Sequence, residues 1–538
     1  MLLAAPPLLF LALFFLYPLA SILVAGLAPA GRLDLAGPLE TLARPFVREV
    51  AWFTLWQAAV STGLTLLAAL PAAYAFGRFR FPGKRLIEAL AIVPFVLPTV
   101  VVASAFLALV GPRGALPVRL EHTIWAILLA HVFYNYAIVL RIVGGLWAQL
   151  DPRLEEQARV LGASRWRAFR EITLPLLAPA IASAASIVFL FTFTSFGVIL
   201  LLGGPTFATL EVEIYRQTAQ LLDLPVAATL SLLQMSGLLV LLLVYARVQE
   251  RLAIGLRLLP PGAGARPPRT AAERAFVAAN LAFMALLLGL PLLALVERSL
   301  TTAGGHGLAN YAALLGPARG ALFVPPLDAV RNSLSYASFA TVLCVVLGLM
   351  ASAVIAYRRG WLAQSFDALL MLPLGTSAVI IGFGFILALG RLPLSLPFDL
   401  RTSVWLIPIA HALVALPFVV RSVAPVMRSV DRRLREAAAV LGAAPGRAWR
   451  EVDLPIVGRA ALVGAGFAFA VSLGEFGATL FIARPDTPTM PVAIFRLLSQ
   501  PGALVFGQAM AMSTLLMAVS ALSILLIDRF RGAATGQL

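Results

Sequence analysis

Charge is scarce in this sequence. Only 12% of its 538 residues are charged and 61% are apolar, whereas soluble domains usually carry about a quarter charged residues. The charges lie between long uncharged runs, which is typical of an integral membrane protein. A net charge of +16 is also compatible with a nucleic-acid partner. However, the arginines lie in short loops between apolar runs, so membrane topology explains them and we expect no nucleic acid.

Cysteine and nucleotide-binding motifs are nearly or wholly missing. The single cysteine, Cys344, lies inside an apolar run, so we expect neither an intrachain disulfide nor a cysteine metal site. There is no Gly-x4-Gly-Lys-Ser/Thr phosphate loop, so the chain alone is not expected to bind and hydrolyse ATP in that way. A membrane enzyme would need clustered carboxylates, histidines or a nucleophile, and only Glu475 and two separated histidines are available. We therefore predict no enzyme activity, metal or cofactor in this chain.

Apolar runs long enough to cross a membrane dominate the chain. A spanning helix needs about 20 apolar residues. The first run has no basic residue before Arg32, unlike a secretory signal, so we interpret it as a membrane helix. Twelve runs qualify, at residues 6–30, 50–76, 88–110, 123–148, 176–202, 226–246, 275–296, 332–356, 368–390, 402–427, 460–483 and 503–527.

The loops between these runs differ in their basic residues. If the N-terminus is cytoplasmic, the inside loops hold 26 Lys and Arg residues and the outside loops hold 13. Cytoplasmic loops carry the excess of Lys and Arg in membrane proteins. The count predicts a multi-pass protein of the cytoplasmic (inner) membrane with both termini in the cytoplasm.

The chain repeats itself at an offset of 280 residues. His131 matches His411, and Val160-Leu-Gly-Ala163 matches Val440-Leu-Gly-Ala443. Each unit holds six runs, an even number, so the copies have the same orientation and form parallel repeats. The fold class predicted is all-α and integral to the membrane. We place the first membrane domain at 1–255, a polar, proline-rich cytoplasmic linker at 256–272, and the second membrane domain at 273–538.

One pattern occurs in an inside loop of each half. It indicates a short amphipathic helix, a glycine where a side chain would clash, and a second short helix stopped by proline before the next span. In the first half it consists of Glu156, Gln157, Ala158, Gly162, Ile172, Leu174 and Pro175. In the second half it consists of Glu436, Ala437, Ala438, Gly442, Val452, Leu454 and Pro455. Ordinary amphipathic loop helices are the alternative interpretation.

This spacing resembles the Glu-Ala-Ala-x3-Gly-x9-Ile-x-Leu-Pro signature of the type I ABC importer permeases, with Gln157 and Val452 as the two departures. The resemblance implies that each segment is a coupling helix that docks on an ATPase subunit. It therefore implies two copies of that ATPase, which bind the ATP and Mg²⁺, and a periplasmic or lipid-anchored substrate-binding protein, with lipid around the spans. Glu156 and Glu436 either pair with basic groups of the ATPase or cap helix N-termini, where negative charge is favourable.

A few polar and aromatic residues lie at membrane depth. A charge there is costly, so Glu475 should face a cavity or a partner. Its repeat equivalent is Ser195, and Phe196 and Phe476 follow them. We expect these four residues on the substrate pathway, or else a packing kink with Glu475 near the outer interface. For His131 and His411 we favour hydrogen bonds between helices over a proton relay or a metal pair.

The resemblance also bears on the substrate. Fused double permeases of this size are characteristic of thiamine and ferric-iron uptake. Two segments are similar to the thiamine group: residues 202–215 and residues 128–135. The segment 472–479, with Glu475, is similar to sulfate and molybdate permeases as well. Thiamine or a phosphate ester is the favoured cargo, with ferric iron and sulfate or molybdate as alternatives. A secondary transporter of two parallel repeats is the rival from another class.

Overall fold

A computed structural model describes residues 2–28, 31–252, 259–260, 262–302, 304–317, 322–358, 360–390 and 400–535. Among these residues, ten helices are long and apolar enough to cross a membrane, and two sharply bent helix pairs raise the total to twelve. The all-α membrane fold predicted from the sequence is therefore confirmed. The ten helices, called spans, are Ala5–Leu27, Pro45–Arg78, Ile124–Trp147, Arg165–Phe193, Leu224–Leu252, Ala271–Leu300, Pro326–Tyr357, Leu406–Ser429, Pro445–Gly474 and Ala503–Ile527.

Shorter elements connect the spans. The two bent pairs are Lys84–Val96 with Thr99–Val110, and Trp361–Gly375 with Ala378–Ala388. Further helices are Leu2–Ala4, Ala36–Ala43, Arg153–Val160, Gly197–Leu202, Leu210–Ala219, Ala309–Leu314, Leu400–Thr402, Arg432–Val440, Thr479–Ile482 and Met490–Leu498. The described residues include one antiparallel pair of two-residue strands, Thr301–Thr302 and Gly305–His306.

The third run of each half is bent rather than straight. The sequence predicts one spanning helix at 88–110 and one at 368–390, but the chain turns by 100° in the first and by 98° in the second. In the first half Leu97 is extended because it precedes Pro98. In the second half Ser377 is extended and its hydroxyl accepts a hydrogen bond from Val379 N. The same bend is thus made by a proline in one half and by a capping serine in the other.

When each bent pair is counted as the third span of its half, the fifth span of each half begins earlier and ends sooner than predicted. The sequence predicts 176–202 and 460–483, whereas the spans are Arg165–Phe193 and Pro445–Gly474. The prediction that proline stops the second loop helix is wrong. Five-residue π turns at Phe169–Thr173 and Trp449–Asp453 carry the helix into the α segments that contain Pro175 and Pro455. Proline is tolerated there because it lies in the first turn of the new α segment.

The first span of each half packs against the other half. Span Ala5–Leu27 packs on Ala378–Ala388 of the second half, where a Cβ on Gly384 would lie 3.0 Å from Pro18. Span Ala271–Leu300 packs on Thr99–Val110 of the first half, and Arg298 donates to the Gly114 carbonyl at 2.8 Å. Each half therefore covers an apolar face of the other.

The described part of the linker is joined to the first half. Residues 253–258 and 261, which include the predicted boundary at 255–256, lie outside the described residues. Arg266 forms a parallel bridge with Phe79: Arg80 N donates to the Arg266 carbonyl at 2.9 Å, and Arg266 N donates to the Arg78 carbonyl at 3.1 Å. The Arg266 guanidinium also pairs with Glu273 at 2.5 Å. The linker thus binds the end of span Pro45–Arg78.

Candidate functional site: the loop helices and the axis between the halves

The two repeated loop patterns form matching short helices. The first loop helix is Arg153–Val160 and the second is Arg432–Val440. Each begins behind an aspartate cap: Asp151 accepts from Arg153 N at 3.0 Å, and Asp431 accepts from Arg433 N at 2.9 Å. Aspartates thus bond the first N–H groups of both helices, a role that was one of the two alternatives for Glu156 and Glu436. Both glutamates are exposed, and Glu436 pairs with Arg432 at 2.9 Å.

Each loop helix ends at a glycine in a left-handed conformation. The φ angle is +91° at Gly162 and +83° at Gly442. Ala163 N donates to the Ala158 carbonyl at 3.0 Å and Ala443 N donates to the Ala438 carbonyl at 2.9 Å, the bonds of a Schellman motif. A Cβ built on either glycine has no atom within 4 Å. The predicted clash is therefore wrong, and glycine is required here by the backbone angle.

Exposed apolar side chains mark the ends of the loop helices. Val160 and Leu161 are 87% and 88% exposed, and Val440 and Leu441 are each 87% exposed. Among the other residues of the pattern, Ala158 and Ala438 are half-buried. The exposed ones include Gln157, Ala437, Leu174, Pro175, Leu454 and Pro455. The pattern therefore presents a similar apolar surface in both halves, with Gln157 in the first half where the second has Ala437.

Repeat-equivalent phenylalanines meet where the halves join. The rings of Phe196 and Phe476, 280 positions apart, stack with centroids 5.6 Å apart and an interplanar angle of 28°. Both lie just beyond the end of a fifth span. A ring pair formed by equivalent residues lies on the pseudo-two-fold axis that relates the halves. Phe196 is 7% exposed and Phe476 is 2% exposed, so the rings close the axis at this level.

Three more aromatic rings surround this pair. Tyr215 packs edge-on against Phe196 at 5.7 Å, and its repeat equivalent Phe495 lies 5.7 Å from Phe476. Phe481 lies 5.5 Å from Tyr215. We call these five residues the axis cluster. Applying the offset of 280 to aromatic residues identifies Tyr215 and Phe495 from the sequence, whereas Leu201 stands at the position equivalent to Phe481 and gives no such signal.

The buried histidines hold the broken ends of the fifth spans. His131 bonds Ser61 through Nδ1 at 2.9 Å and Ser195 through Nε2 at 2.8 Å. His411 bonds Ser472 through Nδ1 at 2.7 Å and Thr479 through Nε2 at 2.8 Å. The histidines thus form the hydrogen bonds between helices that the sequence favours. The offset does not predict the role of Ser61, because the equivalent Thr341 bonds the Ala337 carbonyl of its own helix.

Glu475 is buried and has several partners. Its carboxylate accepts from Ala478 N at 2.7 Å, from Thr479 N at 3.0 Å and from the Thr479 hydroxyl. His411 Nε2 lies 3.4 Å from Oε2. Because the Thr479 hydroxyl donates to Glu475, its oxygen accepts from His411 Nε2. Glu475 thus lies at a capped helix break beside the axis cluster.

Metal ligands are not gathered at either place. Within the described residues, no three His, Cys, Asp or Glu side chains are close enough to hold a metal ion together. Cys344 is buried, and its thiol lies 3.3 Å from the Ala412 carbonyl.

The sequence of this chain is similar to known transport proteins. The family described as binding-protein-dependent transport system inner membrane component matches residues 65–254 and again residues 344–533. The thiamine transport system permease protein ThiP of Escherichia coli is 30% identical over 84% of this chain and 83% of its own length. The molybdenum transport system permease protein ModB of Mycobacterium bovis is 36% identical over 37% of this chain and 76% of its own. A solved bacterial ABC transporter involved in the import of the acidic polysaccharide alginate covers 46% of this chain and 94% of its own at 18% identity, with a TM-score of 0.37.

Proposed function

We propose, since this chain belongs to the family of inner membrane components of binding-protein-dependent transport systems, that its substrate is thiamine or a phosphate ester of thiamine. The family makes the chain a multi-pass inner membrane protein and the permease subunit of an ABC importer, with both halves of the pore in one polypeptide. Its relatives are permease components of such transporters and not enzymes.

The observation that carries the substrate proposal is the likeness to a thiamine permease along both halves. It extends over 84% of this chain, whereas the likeness to the molybdenum permease covers 37%. The axis cluster supports the same choice. Thiamine carries a fixed positive charge on an aromatic thiazolium ring, and aromatic faces attract such cations. A pathway through Ser195, Phe196, Glu475 and Phe476 offers two stacked rings with a carboxylate beside them.

A second proposal concerns the loop helices as the docking sites of the ATPase subunits. The exposed pairs Val160-Leu161 and Val440-Leu441 supply apolar contacts, and exposed apolar patches on a surface mark interaction sites. The proposed coupling residues are Glu156, Ala158, Gly162, Leu174, Pro175, Glu436, Ala437, Ala438, Gly442, Leu454 and Pro455. With the loops and both termini in the cytoplasm, two ATPase copies dock on one permease chain, and a substrate-binding protein delivers the cargo from the opposite side.

Uptake of labelled thiamine by cells tests the substrate. We expect deletion of this gene to abolish high-affinity uptake, and the intact gene to restore it only together with an ATPase able to hydrolyse ATP. If deletion leaves thiamine uptake intact and stops uptake of iron, sulfate or molybdate, the substrate proposal is wrong while the permease assignment stands.

The pathway is tested with Phe476→Leu, which removes the ring but keeps an apolar side chain of similar size. We expect thiamine uptake to fall about two- to thirtyfold, corresponding to a cation–π contribution of about 0.5–2 kcal/mol. Phe339→Leu is the matched control, because Phe339 is 53% exposed on the outside of span Pro326–Tyr357. Equal uptake by both variants would remove Phe476 from the pathway.

A further inference from the structure

Three residues connect the first loop helix to its own half. Glu155, on the loop helix, pairs with Arg78 at 3.5 Å and accepts a hydrogen bond from the Thr173 hydroxyl. Arg78 is the last residue of span Pro45–Arg78, and its guanidinium also donates to the Leu150 carbonyl at 3.3 Å. Thr173 is the last residue of the π turn that leads into the fifth span. We call Arg78, Glu155 and Thr173 the first clamp.

The second loop helix is connected in the same way with different chemistry. Arg435, on the loop helix, pairs with Asp453 at 2.5 Å and donates to the Tyr357 hydroxyl at 2.7 Å. Its guanidinium also lies 4.8 Å from the centroid of the Tyr357 ring. The hydrogen bond to Asp453 raises the pKa of Arg435 above its usual value, so the residue stays charged. Tyr357, Arg435 and Asp453 form the second clamp.

The two clamps occupy equivalent positions with the charges exchanged. Glu155 corresponds to Arg435 and Thr173 to Asp453 at the offset of 280, and Arg78 corresponds to Tyr357 at an offset of 279. The residue on the loop helix is acidic in the first half and basic in the second. Each set nevertheless makes the same two connections, one to the end of the second span and one to the start of the fifth.

Little else fastens the loop helices. None of the residues in Arg153–Val160 or Arg432–Val440 is buried. The clamp partners, in contrast, include the buried Arg78, Thr173 and Asp453. The remaining ion pairs of these loops, such as Arg167–Glu171 and Arg447–Glu451, have side chains that are 47–68% exposed. Exposed pairs of this kind contribute little to stability, so they provide matched controls.

The clamps lie at the start of a continuous route to the axis. Beyond Thr173 and Asp453 the fifth spans run without interruption to Phe193 and Gly474. Phe196 and Phe476 follow directly and stack on each other. A displacement of a loop helix that is held at its clamp therefore moves the whole fifth span, and with it one ring of the stacked pair.

We infer that Glu155 and Arg435 are positioning residues that transmit movement of each loop helix to the second and fifth spans of its half. This inference rests on the proposed docking of ATPase subunits at the loop helices. Breaking a clamp leaves docking intact and separates ATP hydrolysis from transport.

The first test uses Glu155→Ala and Arg435→Ala in the full transporter, reconstituted in proteoliposomes with its ATPase and binding protein. We expect both ATPase subunits to remain bound and ATP hydrolysis to continue. Substrate uptake should fall about tenfold, within the 5–150-fold range usual for coupling between sites, so that more ATP is hydrolysed per molecule imported. Arg167→Ala and Arg447→Ala should retain the ratio of ATP to substrate of the unaltered transporter.

The second test transfers one clamp into the other half. Glu155→Arg alone places two arginines together at Arg78 and should abolish uptake. Adding Arg78→Tyr and Thr173→Asp gives the first half the residue set of the second and should restore uptake to within about threefold of the unaltered transporter. This rescue also decides the matter if Glu155→Ala fails to reach the membrane.

The outcomes separate the inference from the function on which it rests. If the triple variant transports no better than Glu155→Arg, or if Glu155→Ala and Arg435→Ala keep the normal ATP ratio in complexes of normal composition, the clamps do not transmit movement and the docking proposal stands. If a chain from which both loop helices are deleted still binds its ATPases, the docking proposal itself fails.

Discussion

At the scale of single residues, backbone geometry decides what Gly162 and Gly442 contribute. Both end a helix with a positive φ, and neither has a neighbour that a side chain would strike. The left-handed conformation costs a residue with a Cβ about 1–2 kcal/mol. The cost is lower for asparagine, because its side chain forms local hydrogen bonds. The turn sets the direction in which the chain leaves the loop helix, so its loss displaces the exposed Val160-Leu161 pair.

Glycine replacement therefore gives a graded prediction. We expect Gly162→Val and Gly442→Val to abolish uptake while the chain still inserts into the membrane. Gly162→Asn and Gly442→Asn should retain a substantial part of the activity, because asparagine adopts the left-handed conformation more readily than valine. Transport assays on membranes with equal amounts of each variant distinguish the two series. Uptake at the unaltered level in both valine variants would show that the turn is dispensable.

Glu475 shows how far single residues could be predicted. Its position in an apolar run indicates a buried, partnered charge, and the structure provides the partners. The identity of those partners was not predictable, because His411 and Thr479 approach it only when two spans pack and the fifth span breaks. Equivalent positions in the first half carry Ser195 and His131, so the same connection is made there without a charge.

At the scale of elements, the bend in the second half depends on one serine. Ser377 caps helix Ala378–Ala388, and its hydroxyl donates to Glu211 of the first half at 2.5 Å. Glu211 is fully buried and accepts one further bond, from Gln234 at 3.0 Å. Ser377 therefore holds both the bend and a buried carboxylate from the other half.

Removing that hydroxyl should lower the stability of the folded chain. Ser377→Ala loses a cap worth about 1 kcal/mol and leaves Glu211 with one fewer donor, which costs about 1–3 kcal/mol more. Thr376→Ala is the control, because the Thr376 hydroxyl bonds only the Leu372 carbonyl of its own turn. Thermal unfolding in detergent should show a lower midpoint for Ser377→Ala alone. Equal midpoints for the two variants would contradict the argument.

The spans were predictable because apolar length alone specifies them, and all twelve predicted runs overlap a span or a bent pair. The bends were not, since the two halves make them with different residues, Pro98 and Ser377. The π turns before Pro175 and Pro455 also escaped prediction. Proline at these positions is compatible with a new helix or with a continued one, and the local sequence does not distinguish the two.

At the scale of the whole molecule, the first span of each half packs against the other half, so neither half is complete alone. Phe14 of span Ala5–Leu27 packs against Phe385, and Arg298 of span Ala271–Leu300 donates to the Gly114 carbonyl. The described part of the linker bonds Phe79 and Arg80 directly after span Pro45–Arg78, and Gln149 after span Ile124–Trp147, and its Arg266 pairs with Glu273 where the second half begins. The interface between the halves, and not the covalent link, should therefore hold the transporter together.

Splitting the chain between Gly262 and Ala263 tests this. Two co-expressed fragments should copurify through a tag on either one and should recover most of the uptake of the unbroken chain. Either fragment alone exposes the apolar face that the other normally covers, so we expect it to be degraded or inactive. Fragments that both reach the membrane but do not associate would show that the link is essential.

The repeated loop helices also fix the expected composition of the transporter. Each chain carries two exposed apolar pairs, Val160-Leu161 and Val440-Leu441, which we propose as docking surfaces, so one chain should bind two ATPase subunits. Mass measurement of the intact complex in detergent should give one permease chain with two ATPases. Gly442→Val, which displaces the second surface, should shift the population toward complexes with a single ATPase. A stable complex of the unaltered protein with two permease chains, or with one ATPase, would contradict the pairing of one loop helix with one ATPase.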